Sequence, residues 1–282
     1  YNADLWKSIG YESFPDNWND IIAAAPKFKD KGIIPIVLGD QDGWEYESCI
    51  LSALGDRFTG TEWTNNIIAN NGKSKFTDED FVKALEFTQT LINAELFNPD
   101  VTSIDNAQAE ALYASGKAAT TIDGYWNVTT VEKTATEDVL DATHLAILPP
   151  VDGGKGVANA TSGGPGWFLA VNGGIEGDKL AAAKEFVGYM TGEEYSKVIA
   201  ADFGVVGAVN IGEVDLSKFS HLTQEYMGLI NSDITMTPVY DIQMDGAVID
   251  VMNTGVQSMF VNAITPAELA AQIQAAQDGL SK

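Results

Sequence analysis

Apolar residues recur at helical spacing along much of the chain, and short apolar runs separate these segments. In the first half the spacing predicts helices after Asn17, at about 46–54, and from a Thr77–Asp80 capping box onward. The run from Ile33 to Leu38 predicts a strand, and Pro35 within it favours an edge position. The polar stretch 59–75 predicts an exposed loop or a short helix.

The stretch 113–126, YASGKAATTIDGYW, joins a helix to a strand. Gly116 falls where a helix needs a left-handed C-terminal residue, and 118–122 is small and β-branched, which predicts a buried strand. This strand would carry Asp123 and Trp126 at its carboxyl end, where open α/β sheets bind ligands. A carboxylate beside an aromatic ring suits the binding of a sugar. A tryptophan that only fills the hydrophobic core is an equally good explanation of Trp126.

The second half predicts strands at 145–148 and 167–171, with the glycine-rich segment 152–166 between them. This segment suits a hinge, a linker or a ligand loop. Further helices are predicted near 127–134, at 178–190, around 194–201, near 222–230 and as one long helix through 242–260. The clearest local signal is the last helix, with Thr265 as N-cap and Glu268 completing a capping box.

The composition is that of an acidic globular protein. Of the 282 residues, 45% are hydrophobic, and the formal net charge is -24. Such a charge repels phosphate backbones, so we expect no nucleic-acid partner. No run is apolar enough to span a membrane, and the first residues lack the regions of a signal peptide. The protein is then either cytosolic or exported by a segment absent from this sequence.

Motifs of common enzymes and metal sites are missing from the sequence. It has no GxSxG, GxxxxGK[ST] or GxGxxG pattern. His144 and His221 each have no second His or Cys nearby in sequence, and Gly43 comes too early after Asp40 and Asp42 for a calcium loop. We therefore expect no metal and no cofactor. Paired carboxylates for glycoside hydrolysis stay open, because the sequence singles out no pair.

Several blocks, taken in order, resemble the extracellular solute-binding proteins of ABC importers, family 1, which contains maltodextrin-binding protein. They are YNADLWKSIGYESFPDNWNDIIAAAPKFKDKGIIPIVLG, YASGKAATTIDGYW, KLAAAKEFVGYMTGEEYSKVI and ITPAELAAQIQAAQDGL. The order and spacing of the blocks carry the resemblance. In the family the position of Asp123 is often Asn and that of Tyr125 varies, so the identity of the ligand stays open.

The resemblance implies an α/β fold of the periplasmic-binding-protein-like, two-lobed type (class II), with the first lobe incomplete. Residues 1–162 and 213–282 would form the second lobe, and 163–212 the returning segment of the first. Family members begin with roughly a hundred further residues, about the size of a domain. We therefore expect an uncovered apolar face on 163–212, in a truncated or cleaved molecule or one completed by a partner chain.

The resemblance also implies a receptor rather than an enzyme. It would bind a small carbohydrate reversibly in a cleft between the lobes and present it to the membrane permease of an ABC importer. The full-length protein would be a monomer at the extracellular face of the cell membrane or in the periplasm, lipid-anchored through the absent N-terminal segment.

The expected ligand-binding residues lie on strand-terminal loops and at the crossover between lobes. Trp44 and Trp126 would stack on sugar rings, and acids beside them would accept hydrogen bonds from hydroxyls. The whole set is Asp42, Trp44, Glu45, Asp123, Trp126, Gly164, Trp167, Tyr240, Asp241 and Gln243.

Other readings of these residues stay open. Trp44 would instead anchor the following helix, and each acid would be a solvated loop residue. Two other functions compete with the receptor: a glycan-processing hydrolase that uses loop carboxylates such as Asp123, and an interaction domain whose acidic surface only keeps it soluble.

Overall fold

The structure is a computed structural model that describes residues 1–164, 166–203, 207–209 and 215–280. Its contacts divide the chain into two compact units: unit 1 is Tyr1–Gly164 with Ile230–Lys282, and unit 2 is Pro165–Leu229. The lobe boundary predicted at 212/213 lies outside the described residues. The assignment of the units to lobes stays a prediction.

Helices form most of the regular structure of unit 1. Before the first crossing to unit 2 they are α1 (Ala3–Lys7), α2 (Trp18–Lys29), α3 (Ser52–Thr59), α4 (Thr61–Ile68), α5 (Glu79–Asn93), α6 (Asn106–Ala114), α7 (Trp126–Thr134) and α8 (Glu137–Ala142). A π-helix, Tyr46–Leu51, runs directly into α3. After the return they are α12 (Tyr240–Gln243), α13 (Gly246–Phe260) and α14 (Pro266–Asp278).

Extended segments of unit 1 lie side by side and parallel, joined by isolated β-bridges. Ile34 pairs with Ala118 and Val37 with Thr121 on one side, while Ile36 pairs with Phe97 on the other. The segment 34–37 is thus central, and the edge position predicted from Pro35 is wrong.

Pro35 nevertheless explains why this segment forms bridges and no continuous strand. The Ile34 N–H donates to Lys117 O at 3.0 Å, but the Ile36 N–H donates to Leu96 O, on the opposite side, at 3.0 Å. In a regular strand residues two apart point to the same side, so the alternation is broken at the proline. A proline that cannot donate is tolerated inside a sheet at such an irregularity.

The core of unit 1 lies where α5, α13, α14 and the π-helix pack together. Trp6, Trp18 and Trp63, which the sequence analysis treats as structural, are all buried. Each indole N–H has a partner: Thr120 Oγ1 at 3.0 Å, Pro149 O at 3.2 Å and Asp78 Oδ2 at 2.9 Å. These tryptophans therefore stabilise the fold and do not face a ligand.

The structure confirms two of the predicted helix starts and contradicts a third. The capping box of α14 is confirmed, because Thr265 accepts from the Glu268 N–H and the Glu268 side chain accepts from the Thr265 N–H. The Asn17 cap of α2 is confirmed as well. The Thr77 capping box is wrong, since Asp78 is the N-cap of α5 and its carboxylate accepts from Trp63 and the Lys75 N–H.

The strands predicted at 145–148 and 167–171 are wrong, because the backbone there forms neither strand nor helix. A short parallel pair forms instead, β1 (Ala160–Ser162) beside β2 (Thr235–Thr237). Each of these strands has only three residues, which is too few for an alternation of apolar and polar residues to be visible in the sequence. The predicted long helix is interrupted between α12 and α13, where Asp245 caps a new start by accepting from the Ala247 N–H at 2.9 Å.

The first part of the glycine-rich segment packs on α3. The Lys155 N–H donates to Phe58 O at 3.3 Å, and the Gly156 N–H donates to Arg57 O at 2.9 Å. A Cβ atom at Gly156 would collide with the Asp56 carbonyl oxygen. Glycine is therefore needed here for close packing rather than for free movement.

Unit 2 contains α9 (Gly177–Met190), α10 (Glu193–Phe203), a 3-10 turn (Leu216–Lys218) and α11 (His221–Ile230), which ends at the boundary. No residue of α9 is buried, and Phe186 is 58% exposed. Trp167 is 96% exposed. Among the described residues of 163–212, the apolar side chains of Trp167 and Phe186 are thus open to solvent.

We find no helix within the described part of the chain that is both long enough and apolar enough to cross a membrane.

Candidate functional site

The candidate site lies in unit 1, at the carboxyl ends of the parallel segments. The central segment 34–37 leads into the loop 39–45, and the neighbouring segment leads into 122–126. A Cβ atom at Gly39 would collide with the Asp105 carbonyl oxygen, so glycine lets this loop pack on the start of α6. Two loops and the start of α6 therefore meet at one edge.

Trp44 and Trp126 lie next to each other at this edge. Their ring centroids are 5.9 Å apart and their planes are inclined by 56°. Trp126, the first residue of α7, is 49% exposed, while Trp44 is half-buried. Gly124 has no side chain to displace the Trp126 ring that lies over it. The pair presents an aromatic surface beside solvent.

Asp123 is held directly beside this aromatic surface. Its carboxylate accepts from Asn106 Nδ2 at 2.9 Å and from the Gly124 N–H at 2.7 Å. The side chains of Trp126 and Asn127 also hydrogen-bond to it. Burial raises the pKa of Asp123, and these hydrogen bonds act in the opposite sense. The acid is thus fixed in orientation.

Glu45 lies behind Asp123 and is fully buried. Its Oε2 accepts from the Gly39 N–H at 3.1 Å, and the Asn106 side chain bonds to it as well. Burial, and then the charge of Asp123, raise the pKa of Glu45 to about 8. Asn106 therefore links two carboxyl groups that repel each other.

The π-helix carries a second buried acid, Glu47. Its Oε1 accepts from Ser52 Oγ at 3.1 Å, and burial followed by the charge of Asp241 raises its pKa to about 8. Asp241 is exposed, bonds to the Ser48 side chain, and donates its backbone N–H to Glu47. The wide turn of a π-helix is a common feature of functional sites.

The structure brings together some of the residues predicted from the sequence and separates others. Trp44, Glu45, Asp123 and Trp126 lie together, and Asp241 adjoins them through Glu47. Asp42, Gly164, Trp167 and Gln243 are exposed. Tyr240 is fully buried, and its backbone N–H donates to Ser52 Oγ at 3.0 Å, so its ring lies in the core.

Sequence reasoning missed Asn106, Glu47 and Asn127 as parts of this site. Asn106 opens α6, 17 residues before the carboxylate it binds, and no local pattern links the two. Glu47 could have been noticed as the next acid after Glu45, but its orientation depends on the π-helix. Within the described residues, no three carboxyl oxygens of this site come close enough to hold a metal ion.

Comparisons with known proteins agree on one family. The model of the family described as bacterial extracellular solute-binding protein matches residues 1–197. A probable ABC transporter-binding protein of Deinococcus radiodurans is 28% identical over 77% of this chain and 51% of its own length. The mannitol-binding protein of Pseudomonas aeruginosa is 26% identical over 73% of this chain and 45% of its own length. The chain spans about half the length of these curated relatives.

Solved structures share the fold. A chitin oligosaccharide binding protein superposes with a TM-score of 0.83 at 22% identity, covering 99% of this chain and 67% of the other. A sugar transporter of Bacillus licheniformis in complex with stachyose gives 0.67 at 20% identity, covering 98% and 69%. The similarity extends over nearly the whole chain.

Proposed function

We propose a function from one premise: the chain belongs to the bacterial extracellular solute-binding protein family, whose model matches residues 1–197 of the 282. The protein is a receptor that binds a carbohydrate or polyol reversibly and delivers it to the membrane permease of an ABC importer. No bond of the solute is broken.

The Trp44–Trp126 pair beside Asp123 is the observation that carries this proposal. A sugar presents C–H groups on its faces and hydroxyls at its rim. The rings provide apolar contact for the faces, and an oriented carboxylate accepts from the hydroxyls with a charge-assisted hydrogen bond. A small number of polar groups that converge on an apolar surface is typical of binding sites for small molecules.

The remaining parts of the proposal follow the family. Residues 1–162 and 213–282 form the second lobe and 163–212 return to the first, and closure of the lobes over the ligand creates the form that the permease recognises. Asp42, Glu45, Gly164, Trp167, Asp241 and Gln243 complete the proposed site, whereas the ring of Tyr240 is fully buried in the core. The working location is the cell exterior or periplasm, with a lipid anchor and a monomeric full-length form.

Calorimetric titration with a panel of mono-, di- and oligosaccharides and polyols tests the proposal. We expect stoichiometric binding of at least one member, and chromatography of the mixture after incubation should return that member unchanged. Cleavage of the ligand, abolished by Asp123→Asn, would instead support the hydrolase, an activity that the family match and the named relatives do not favour. A panel in which nothing binds to the folded chain contradicts the receptor.

A further inference from the structure

The charge around the proposed site has a single sign. We define the acidic cluster as Glu45, Glu47, Asp123 and Asp241. After burial, the charges of all four raise the pKa of the Cys49 thiol, so the four carboxyls lie within electrostatic range of one residue of the π-helix. Across the described residues, none of the four forms an ion pair with lysine or arginine.

Some buried carboxyl oxygens in and beside the cluster are unsatisfied. Within the described part of the chain, Glu45 Oε1, Glu47 Oε2 and Asp40 Oδ2 have no hydrogen-bond partner, although all these side chains are fully buried. Burying an ionised carboxyl without a partner is costly, so these groups favour the protonated form unless a positive charge comes near. Among the described residues no lysine or arginine pairs with the cluster, so a cationic group of a ligand would be the first positive charge beside it.

The aromatic pair adds a second, independent attraction for a cation. The face of a tryptophan ring attracts a positive charge, and two rings meeting at an angle offer two faces to one group. Trp44 and Trp126 meet at 56°, and the Trp126 side chain hydrogen-bonds to Asp123 of the acidic cluster. The two rings and the Asp123 carboxylate therefore lie together, where one ligand amine would contact both.

From this arrangement we infer that the site selects a saccharide or polyol carrying a protonated amino group over its neutral counterpart. The inference rests on the proposed function and narrows its ligand class. A neutral sugar also hydrogen-bonds to carboxyl groups and stacks on tryptophan, but it brings no positive charge to the Asp123 carboxylate. The ammonium group compensates that charge and contacts the rings.

Three matched disaccharides test the inference by calorimetry on the full chain: the β-1,4-linked glucosamine dimer, its di-N-acetylated form and cellobiose. They share one β-1,4-linked backbone and differ in the group at carbon 2 of each ring, which is a protonated amine, an acetamide or a hydroxyl. The titrations run at about pH 6, below the ordinary pKa of an amine. We expect the glucosamine dimer to bind about tenfold more tightly than either neutral sugar. Added salt should weaken its binding and leave that of cellobiose nearly unchanged.

Asp123→Asn provides the second measurement, because the amide keeps the shape of the side chain and loses its charge. It should weaken binding of the glucosamine dimer about tenfold and that of cellobiose by less than threefold. Asp30→Asn, at an exposed acid after the end of α2, is the matched control and should change neither affinity.

The outcomes separate this inference from the proposed function. Equal or tighter binding of the neutral disaccharides overturns the preference for an amine and leaves a sugar receptor in place. Equal losses for both sugars in Asp123→Asn overturn it as well. If none of the three binds while circular dichroism shows a folded chain, the preference for an amine is overturned, and the panel of saccharides and polyols tests the receptor separately.

Discussion

At the scale of single residues, Glu45 and Glu47 stand out because they are fully buried acids beside other acids. Burial and neighbouring charge raise the pKa of each to about 8, against an ordinary value near 4.5. Near neutral pH both hold a proton in the folded protein and release it on unfolding. The same repulsion that protonates them makes this edge receptive to positive charge.

These pKa values predict that stability falls as pH rises. The folded state binds more protons than the unfolded chain between about pH 4.5 and 8, so the free energy of unfolding decreases across that range. The glutamine in Glu47→Gln cannot ionise, so this substitution should remove part of the decrease in the free energy of unfolding. Its melting temperature should match that of the unsubstituted protein at pH 5 and exceed it at pH 8. The gain in free energy of unfolding at pH 8 should be about 2 kcal/mol or more, since a shift of one pKa unit corresponds to ~1.4 kcal/mol.

Thermal unfolding followed by circular dichroism at both pH values makes the comparison. Glu12→Gln, at an exposed acid, is the control and should have the same effect at pH 5 and at pH 8. A Glu47→Gln effect that does not change between the two pH values would refute the assignment of a raised pKa.

At the scale of elements, local signals and non-local contacts contribute differently to the fold. The start of α14 rests on Thr265, Pro266 and Glu268, all within one turn. The loop 39–45 rests instead on contacts with α6 and with α13, where Gln257 Nε2 donates to Asp40 O at 2.6 Å. Capping mutations therefore act on one helix, and loop mutations act on the site.

The caps give a matched pair of substitutions. Thr265→Ala should cost about 1 kcal/mol of stability, because it removes the acceptor for the Glu268 N–H. Thr77→Ala should cost less than about 0.5 kcal/mol, because Asp78 caps α5 and Thr77 is exposed. Urea denaturation measures both. Equal costs would show that the Thr77 capping box forms after all.

The close approach of Gly39 to the Asp105 carbonyl gives a second matched pair of substitutions. Gly39→Ala would force its methyl group into the Asp105 carbonyl and should destabilise the chain by about 2 kcal/mol or more. It should also weaken ligand binding, since the loop carries Trp44. Gly246→Ala, where a Cβ atom meets no other atom, should leave both unchanged or raise stability slightly. A harmless Gly39→Ala would contradict the packing of this loop on α6.

The same contrast explains what could be predicted from the sequence. The helices α2 and α14 follow from periodicity and local caps, and α5 and α9 from periodicity alone, since the caps predicted for them do not form. Trp126 and Asp123 come after a strand-like run and flank a glycine. The central place of 34–37 could not be predicted, because it depends on which distant segments pair with it. Asn106 could not be predicted as a partner of Asp123 for the same reason.

At the scale of the whole molecule, the described chain has a well-packed unit 1 and a thinly packed unit 2. Helix α9 has no buried residue, although Phe186 and Tyr189 lie on its surface. Exposed apolar surface of this kind is typical of faces that contact another molecule or segment. The Trp44–Trp126 pair and Asp123, in contrast, lie in unit 1, so their contribution to binding can be measured on this chain.

The central claim is that the Trp44–Trp126 pair beside Asp123 binds a saccharide. Calorimetric titration of the unmodified chain and of Trp126→Ala with one saccharide ligand tests it most directly, with Val261→Ala as a control for loss of an exposed apolar side chain. We expect Trp126→Ala to weaken binding at least about tenfold, since it removes the ring that stacks on the sugar, while Val261→Ala binds normally. Unchanged affinity in a folded Trp126→Ala chain would contradict the claim.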